Sequence, residues 1–140
     1  MTKHIIVGVD DSATAAHAAQ VAAELAVSLG GVLHVITACD DIGITEVGIG
    51  TDVLRISRSD EAAAIAQNVA THVSRPGLTV DSGARIGRPP EVLIEEAERY
   101  DDALIVVGNK RMQGPGRMLG SIANSVTHSA PCDVYVVKTT

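Results

Sequence analysis

Aromatic side chains are almost missing from this chain: two Tyr, no Phe and no Trp among 140 residues, or 1%. A reader of single-stranded nucleic acid stacks bases on aromatic faces, and two rings make no such platform. Positive charge is also short, with eleven Lys and Arg against seventeen Asp and Glu, a formal net charge of −6. A protein that wraps nucleic acid or lies on an anionic membrane needs the opposite balance, so neither is an expected partner. Cysteine is limited to Cys39 and Cys132 with no CxxC pair. Both read first as small buried apolar residues, with a disulfide or a reactive thiol as the alternative. No apolar run is long enough for a bilayer, and the stretch after Met1-Thr2-Lys3-His4 stops at Asp10, too soon for a signal peptide. These absences predict a cytoplasmic protein.

What is abundant is small and aliphatic: 46% of the chain is hydrophobic and 20% charged, a globular balance whose core is Val, Ile, Leu and Ala. The length suits one domain over residues 1–140. Ile5 to Val9 is a β-branched run, as in a strand buried on both faces. Ser12 is placed to cap a helix with Ala15, Ala18, Ala22, Leu25 and Leu29 on one face and Gly30 at its stop. Val32 to Ala38 reads as a second strand, and Ser59-Asp60-Glu61 opens a helix running through Val73. Leu78 to Arg85 is the weakest strand; Pro89 or Pro90 begins a third helix that ends near Tyr100. Ala103 to Val107 is a fourth strand, Ser121 starts a short helix that stops before Pro131, and Val134 to Val137 is a fifth strand. Cys39 to Arg55 is the long irregular piece, either a mobile lid or an extended crossover.

Five strands separated by helices imply an α/β fold: an open, mostly parallel five-stranded sheet with helices on both faces. Ligands of such sheets bind beyond the carboxyl ends of the strands, where strand order reverses. The richest segment there is the run Gly108-Asn109-Lys110-Arg111-Met112-Gln113-Gly114-Pro115-Gly116-Arg117-Met118-Leu119-Gly120-Ser121. Glycines allow close approach to an anion, and a helix start beginning at Ser121 offers free N–H groups and a hydroxyl. Lys110, Arg111 and Arg117 are positioned to neutralise phosphate; a basic surface loop ending in a helix cap is the plainer alternative. No Gly-Lys-Ser/Thr sequence occurs, and Gly48-Ile49-Gly50-Thr51-Asp52-Val53 fails the dinucleotide pattern at its last position.

Taken in order, several segments make the chain resemble the universal stress protein family along nearly its whole length. They are Ile5-Ile6-Val7-Gly8-Val9-Asp10-Asp11-Ser12, Leu33-His34-Val35-Ile36, Gly87-Arg88-Pro89, Ile105-Val106-Val107-Gly108-Asn109, Leu119-Gly120-Ser121-Ile122-Ala123 and Ala130-Pro131-Cys132-Asp133-Val134. The resemblance implies a Rossmann-like fold and a homodimer through the Val134–Val137 strand. It also implies an adenine nucleotide (ATP, AMP or cyclic AMP), with or without Mg²⁺. By the same resemblance Asp10 and Val35 would contact adenosine, while Gly108, Gly120, Ser121 and Ile122 would line the ribose-phosphate side. Arg111 stands where nucleotide-binding members carry their second glycine, and eight residues rather than nine separate it from Gly120. Arg111 then either fills the phosphate space or pairs with a phosphate, and Gly114, Gly116 and Arg117 complete the candidate set.

Three functions follow. The first is a stress-response sensor, reservoir or switch that binds an adenine nucleotide, with ATP hydrolysis at most slow and incidental, since no catalytic base or paired carboxylates stand out. The second is a dimeric interaction module of the same fold whose phosphate site is filled by Arg111. The third is a phosphorelay receiver, suggested by Asp10-Asp11 and Lys138 but lacking an acceptor Asp after the third strand. Asp10 itself reads either as a ligand contact or as the cap of its own turn. His4, His17, His34, His72 and His128 are scattered with no partner at ligand spacing, so no metal site is expected.

Overall fold

Ile5, Ile6 and Val7 are all fully buried, which a continuous β-branched run achieves only when both faces of its strand are covered. They form the middle of β1 (His4–Gly8). In the computed structural model, residues 2–40, 44–49, 52–109 and 120–139 are described, with the backbone alone at 44–49 and 52–57. After β1 come α1 (Ala13–Leu29), β2 (Val32–Cys39), β3 (Ile44–Ile49), β4 (Asp52–Ser57) and α2 (Arg58–Val73). β5 (Thr79–Ile86), α3 (Pro89–Glu98), β6 (Ala103–Asn109), α4 (Ser121–Ser129) and β7 (Asp133–Lys138) follow. Five strands make one sheet in the order β5-β2-β1-β6-β7, with every pairing parallel. The expected α/β architecture is therefore present.

The two sheet faces carry separate cores. Ile5, Val7, Leu33, Val35 and Val106 pack against α1 and α2, whereas Ile6, Ile36, Ile105 and Val107 pack with residues of α3 and α4. Alternation along each strand divides them, since successive side chains point to opposite faces. With so few rings to fill space, α1 lies close on the sheet through Ala18, Ala19, Ala22, Ala23 and Ala26, each at most 1% exposed. Leu29, expected on the same stripe, is 51% exposed, because the buried face ends with Ala26 in the last turn. Ser12 caps α1 by accepting from the Ala15 amide at 3.1 Å, and Gly30 stops it at φ +64°.

One expectation needs revision, and another gains its reason. The segment read as irregular from Cys39 to Arg55 contains an antiparallel hairpin, β3 with β4, with Ile49 opposite Asp52. Val47 and Ile49 on β3, and Leu54 and Ile56 on β4, alternate in the sequence, a hairpin pattern obscured by the glycines. The weak third strand, β5, is an edge of the sheet, half-exposed along its length, and an edge tolerates Asp81 and Arg85 where a central strand would not. No helix among the described residues is long and apolar enough to cross a membrane.

Candidate ligand-binding site

From β1 the chain moves outward to β2 and β5, then returns through α3 to β6 on the far side of β1. Consecutive connections therefore leave in opposite directions from the carboxyl ends of β1 and β6, which opens a crevice between them. A cavity of about 180 Å³ lies there. Gly8, Val9 and Asp10 line it from the end of β1, and Val107 and Gly108 from the end of β6. Ile36 and Ala38 contribute from β2, and Ser12, Thr14 and Ala15 from the start of α1. Pro89, Val92 and Leu93 form the α3 wall, and Ile122 closes the side nearest α4. Pockets that enclose a whole drug-sized ligand hold roughly 300–1,000 Å³. This one takes a ring-sized group, leaving the rest of a ligand across its rim.

Its chemistry is mainly apolar with a polar edge. Among the described lining residues the sole carboxylate is Asp10, so acid–base catalysis by paired carboxylates has no second partner there. Asp10 is exposed, and its Oδ1 accepts the Ser12 amide at 2.9 Å. The turn therefore uses one carboxylate oxygen, which joins the two alternatives for Asp10: it orders the turn and stands on the rim. The α1 and α4 N-termini both reach the cavity, and neither first turn contains an acidic residue. Their unpaired amides give that rim positive character suited to an anion, offset at α1 by Asp10 and Asp11 just before it.

The expected site residues separate into four groups. Asp10, Gly108 and Ile122 are on the cavity wall. A methyl group on Gly108 would lie 3.2 Å from Thr14 Cγ2 and 3.3 Å from Thr139 Cγ2, so the close approach of β6 to α1 needs a residue without a side chain. Val35 is not among the lining residues: it is 0% exposed and belongs to the core beneath α1 and α2. Its neighbours Ile36 and Ala38 point to the other face and supply the β2 wall instead. Gly120 and Ser121 are at the mouth rather than on the wall. Gly120 is the N-cap of α4 and donates its amide to Asn109 Oδ1 at 2.8 Å, so that amide is already engaged. Ser121 is exposed as the first helical residue and does not cap the helix. Arg111, Gly114, Gly116 and Arg117 lie outside the described residues, as do Lys110, Met112 and Met118.

The sequence reading missed Thr14, Ala15, Val92 and Leu93. Their only local signal is a place in the first turns of helices that follow strands. It also treated the histidines as isolated, whereas adjacent strands bring His4 Nδ1 within 2.9 Å of His34 Nε2. Among the described residues, no group of three or more His, Cys, Asp or Glu is placed to hold a metal ion. A second, shallower groove between α2 and β5 lies away from the strand ends, and its polar groups satisfy each other: Ser82 Oγ donates to Gln67 Oε1 at 3.0 Å.

An open parallel sheet with a cavity at its switch point, flanked by helix N-termini, is the arrangement in which α/β proteins place their ligands. Its sheet order also excludes the receiver reading, because receivers place the third strand of the sheet beside the first on the opposite side. The model of the universal stress protein family matches residues 1–138, and the chain belongs to that family. Universal stress protein A homolog 1 of Coxiella burnetii is 28% identical over 138 residues, covering 96% of this chain and 95% of that protein. The universal stress protein of Methanothermobacter thermautotrophicus is 30% identical over 69 residues, and the match spans 49% of this chain and 47% of that relative. A solved universal stress protein from Archaeoglobus fulgidus superposes with a TM-score of 0.74 at 23% identity, covering 99% of this chain and 100% of that one. Another, solved in complex with cAMP, gives 0.71 at 23% identity, covering 99% and 98%.

Proposed function

We propose that this stress protein binds an adenine nucleotide in the cavity between β1 and β6 and acts in the cytoplasm as a sensor, reservoir or switch. The observation that carries the reading is the pairing of an apolar slot with helix N-termini at one rim. Ile36, Ala38, Val92 and Leu93 offer flat aliphatic surfaces to a purine, and the α4 N-terminus has no side-chain cap to compete with a phosphate. The likeness to a universal stress protein solved with cAMP supports the same ligand class. With no aromatic side chain on the wall, adenine is held between aliphatic groups and oriented by hydrogen bonds, Asp10 among the donors and acceptors at the rim. Gly108 and Ile122 border the ribose, Ser121 stands at the phosphate side, and Arg111, Gly114, Gly116 and Arg117 supply the rest. Mg²⁺ would then be held chiefly by phosphate oxygens.

Two copies pair through β7, an edge strand whose Tyr135 is 44% exposed. A specific observation favours the second reading, the interaction module without nucleotide: the Gly120 amide is already bonded to Asn109 and gives a phosphate nothing. One experiment separates the two. Purified protein is denatured, the released small molecules are identified by mass, and AMP, ATP and cyclic AMP are titrated calorimetrically. Adenine nucleotide in the extract, or binding that Asp10→Ala weakens about tenfold, supports the sensor. No nucleotide released and no heat at millimolar ligand leaves the interaction module.

A further inference from the structure

At the end of the sheet away from the cavity, a polar chain runs across three strands. His4 opens β1, and the parallel register sets Ile6 beside His34 and His34 beside Asp81. His4 and His34 are thus diagonal neighbours on one face, and Asp81 is level with His34. Asp81 Oδ1 lies 2.8 Å from His34 Nδ1, and His34 Nε2 lies 2.9 Å from His4 Nδ1. Tyr100, two residues beyond α3, covers both imidazoles. Its ring centre is 4.0 Å from that of His4 and 4.7 Å from that of His34, within 14° of parallel. This stack joins the buried Ala97 and the Glu96–Arg85 ion pair in seating the end of α3 on the sheet.

The geometry limits how many protons the chain holds. With both imidazoles neutral, His34 donates from Nδ1 to Asp81, leaving its Nε2 bare to accept from His4 Nδ1–H. One added proton fits: taken up at His4 Nε2, it leaves one hydrogen between His4 Nδ1 and His34 Nε2 and the His34 Nδ1–H on Asp81. A second does not fit, because two N–H groups on two cations would then face each other at 2.9 Å. We infer that the Asp81–His34–His4 chain is a proton-operated latch, holding Tyr100 and the C-terminal end of α3 while it carries at most one extra proton and releasing them when it takes a second. The opposite end of α3 carries Pro89, Val92 and Leu93 of the cavity wall, so the release bears on an element shared with the site.

The surrounding charges are divided. Asp81 on β5 and Asp102 ahead of β6 favour a charged His4, while Lys3 is tied to Asp102 at 2.8 Å. Glu96 and Arg99 from α3 and Arg85 from β5 act on Tyr100. Burial first, and His34 second, outweigh the two carboxylates and hold His4 below its ordinary value of 6.5. A histidine lowered on folding contributes stability above its unfolded value and loses it as pH falls through the folded one. Acid therefore opens the latch.

Ring nitrogens are followed by two-dimensional NMR from pH 8 to 4.5 without ligand. The latch requires the Nδ1–H tautomer of His34 at pH 8 and two separated titration steps for the His4–His34 pair; independent titration of the two rings overturns it. Tyr135→Phe leaves Tyr100 as the only tyrosine, and its emission must change with the second step; a flat profile also overturns the proposal. In urea, the folded-to-unfolded ratio of the wild type must fall by up to tenfold per pH unit below 6.5. His4→Phe, which stacks but does not titrate, must flatten that fall, and parallel profiles count against the latch. Should His4→Phe fail to fold, the ring titration and Tyr135→Phe decide alone.

Discussion

Replacing Gly31 with Ala tests whether the junction of β1 and β2 is as tight as the fold requires. The added Cβ would lie 2.5 Å from the Lys3 carbonyl oxygen, against the 3.4 Å at which ordinary contact begins. It would also lie 3.0 Å from Ile5 Cδ1 and 3.1 Å from Lys3 Cβ. The side-chain atoms can give way, but the carbonyl is backbone and already accepts the Val32 amide at 2.9 Å. Relieving the collision means moving one strand end and lengthening that bond. Overpacking costs about 1–3 kcal/mol and a weakened hydrogen bond about 1 more. Reduced unfolded-state entropy returns roughly 0.4–1 kcal/mol. The expected net loss is about 1–3.6 kcal/mol, a fall in Tm of roughly 3–12 °C for a domain of this size. Gly30→Ala is the control: at φ +64° with nothing within 4 Å, it pays only conformational strain, about 1–2 kcal/mol. Urea unfolding of both variants measures this, and Gly31→Ala within about 0.3 kcal/mol of wild type would refute the steric reasoning.

Ser12→Ala removes the cap of α1 and is expected to cost about 0.5–2 kcal/mol by urea unfolding, with far-UV helix content falling little. Val35→Ala should destabilise by about 2 kcal/mol yet leave nucleotide affinity unchanged, whereas Ala38→Leu should lower affinity at nearly wild-type stability; calorimetry and unfolding on the same samples read both. Glu96, with its side chain 4% exposed, is held by Arg85 Nε at 3.3 Å and Arg99 Nη1 at 3.4 Å. The double variant Arg85→Ala, Arg99→Ala leaves that carboxylate buried without either guanidinium, so a loss near 3 kcal/mol is expected at pH 7.5. A loss under about 1 kcal/mol by urea unfolding would show that the ion pairs contribute little.

Much of the architecture was legible because its signals are local. Ile5 to Val9 and Ala103 to Val107 are apolar throughout, Ser12 and Gly30 bracket α1, and Pro89 and Pro90 open α3. The hairpin was overlooked because Gly43, Gly48 and Gly50 dilute its alternation, leaving composition to suggest a loop. Asp10, Gly108 and Ile122, which the resemblance had singled out, lie on the cavity wall at the ends of β1 and β6 and the start of α4. The face that Val35 takes was not legible for a reason of phase: in a run apolar on both faces, sequence does not say which residue faces which side. The wall residues of α3 were missed because only the crossover of that helix brings them to the crevice.

By itself the sequence determined the class of fold, the small aliphatic core, the family, and the absence of aromatic stacking surfaces. These follow from composition, periodicity and short motifs, each carried within a few residues. Tertiary structure alone decided which face Val35 and Ile36 take, and that the Gly120 amide is bound to Asn109. It also brought His4, His34, Asp81 and Tyr100, far apart in the chain, into one stack. The physical reason is the same in each case: strand order and register are set by packing the whole sheet between its helices, and no local stretch of residues contains them.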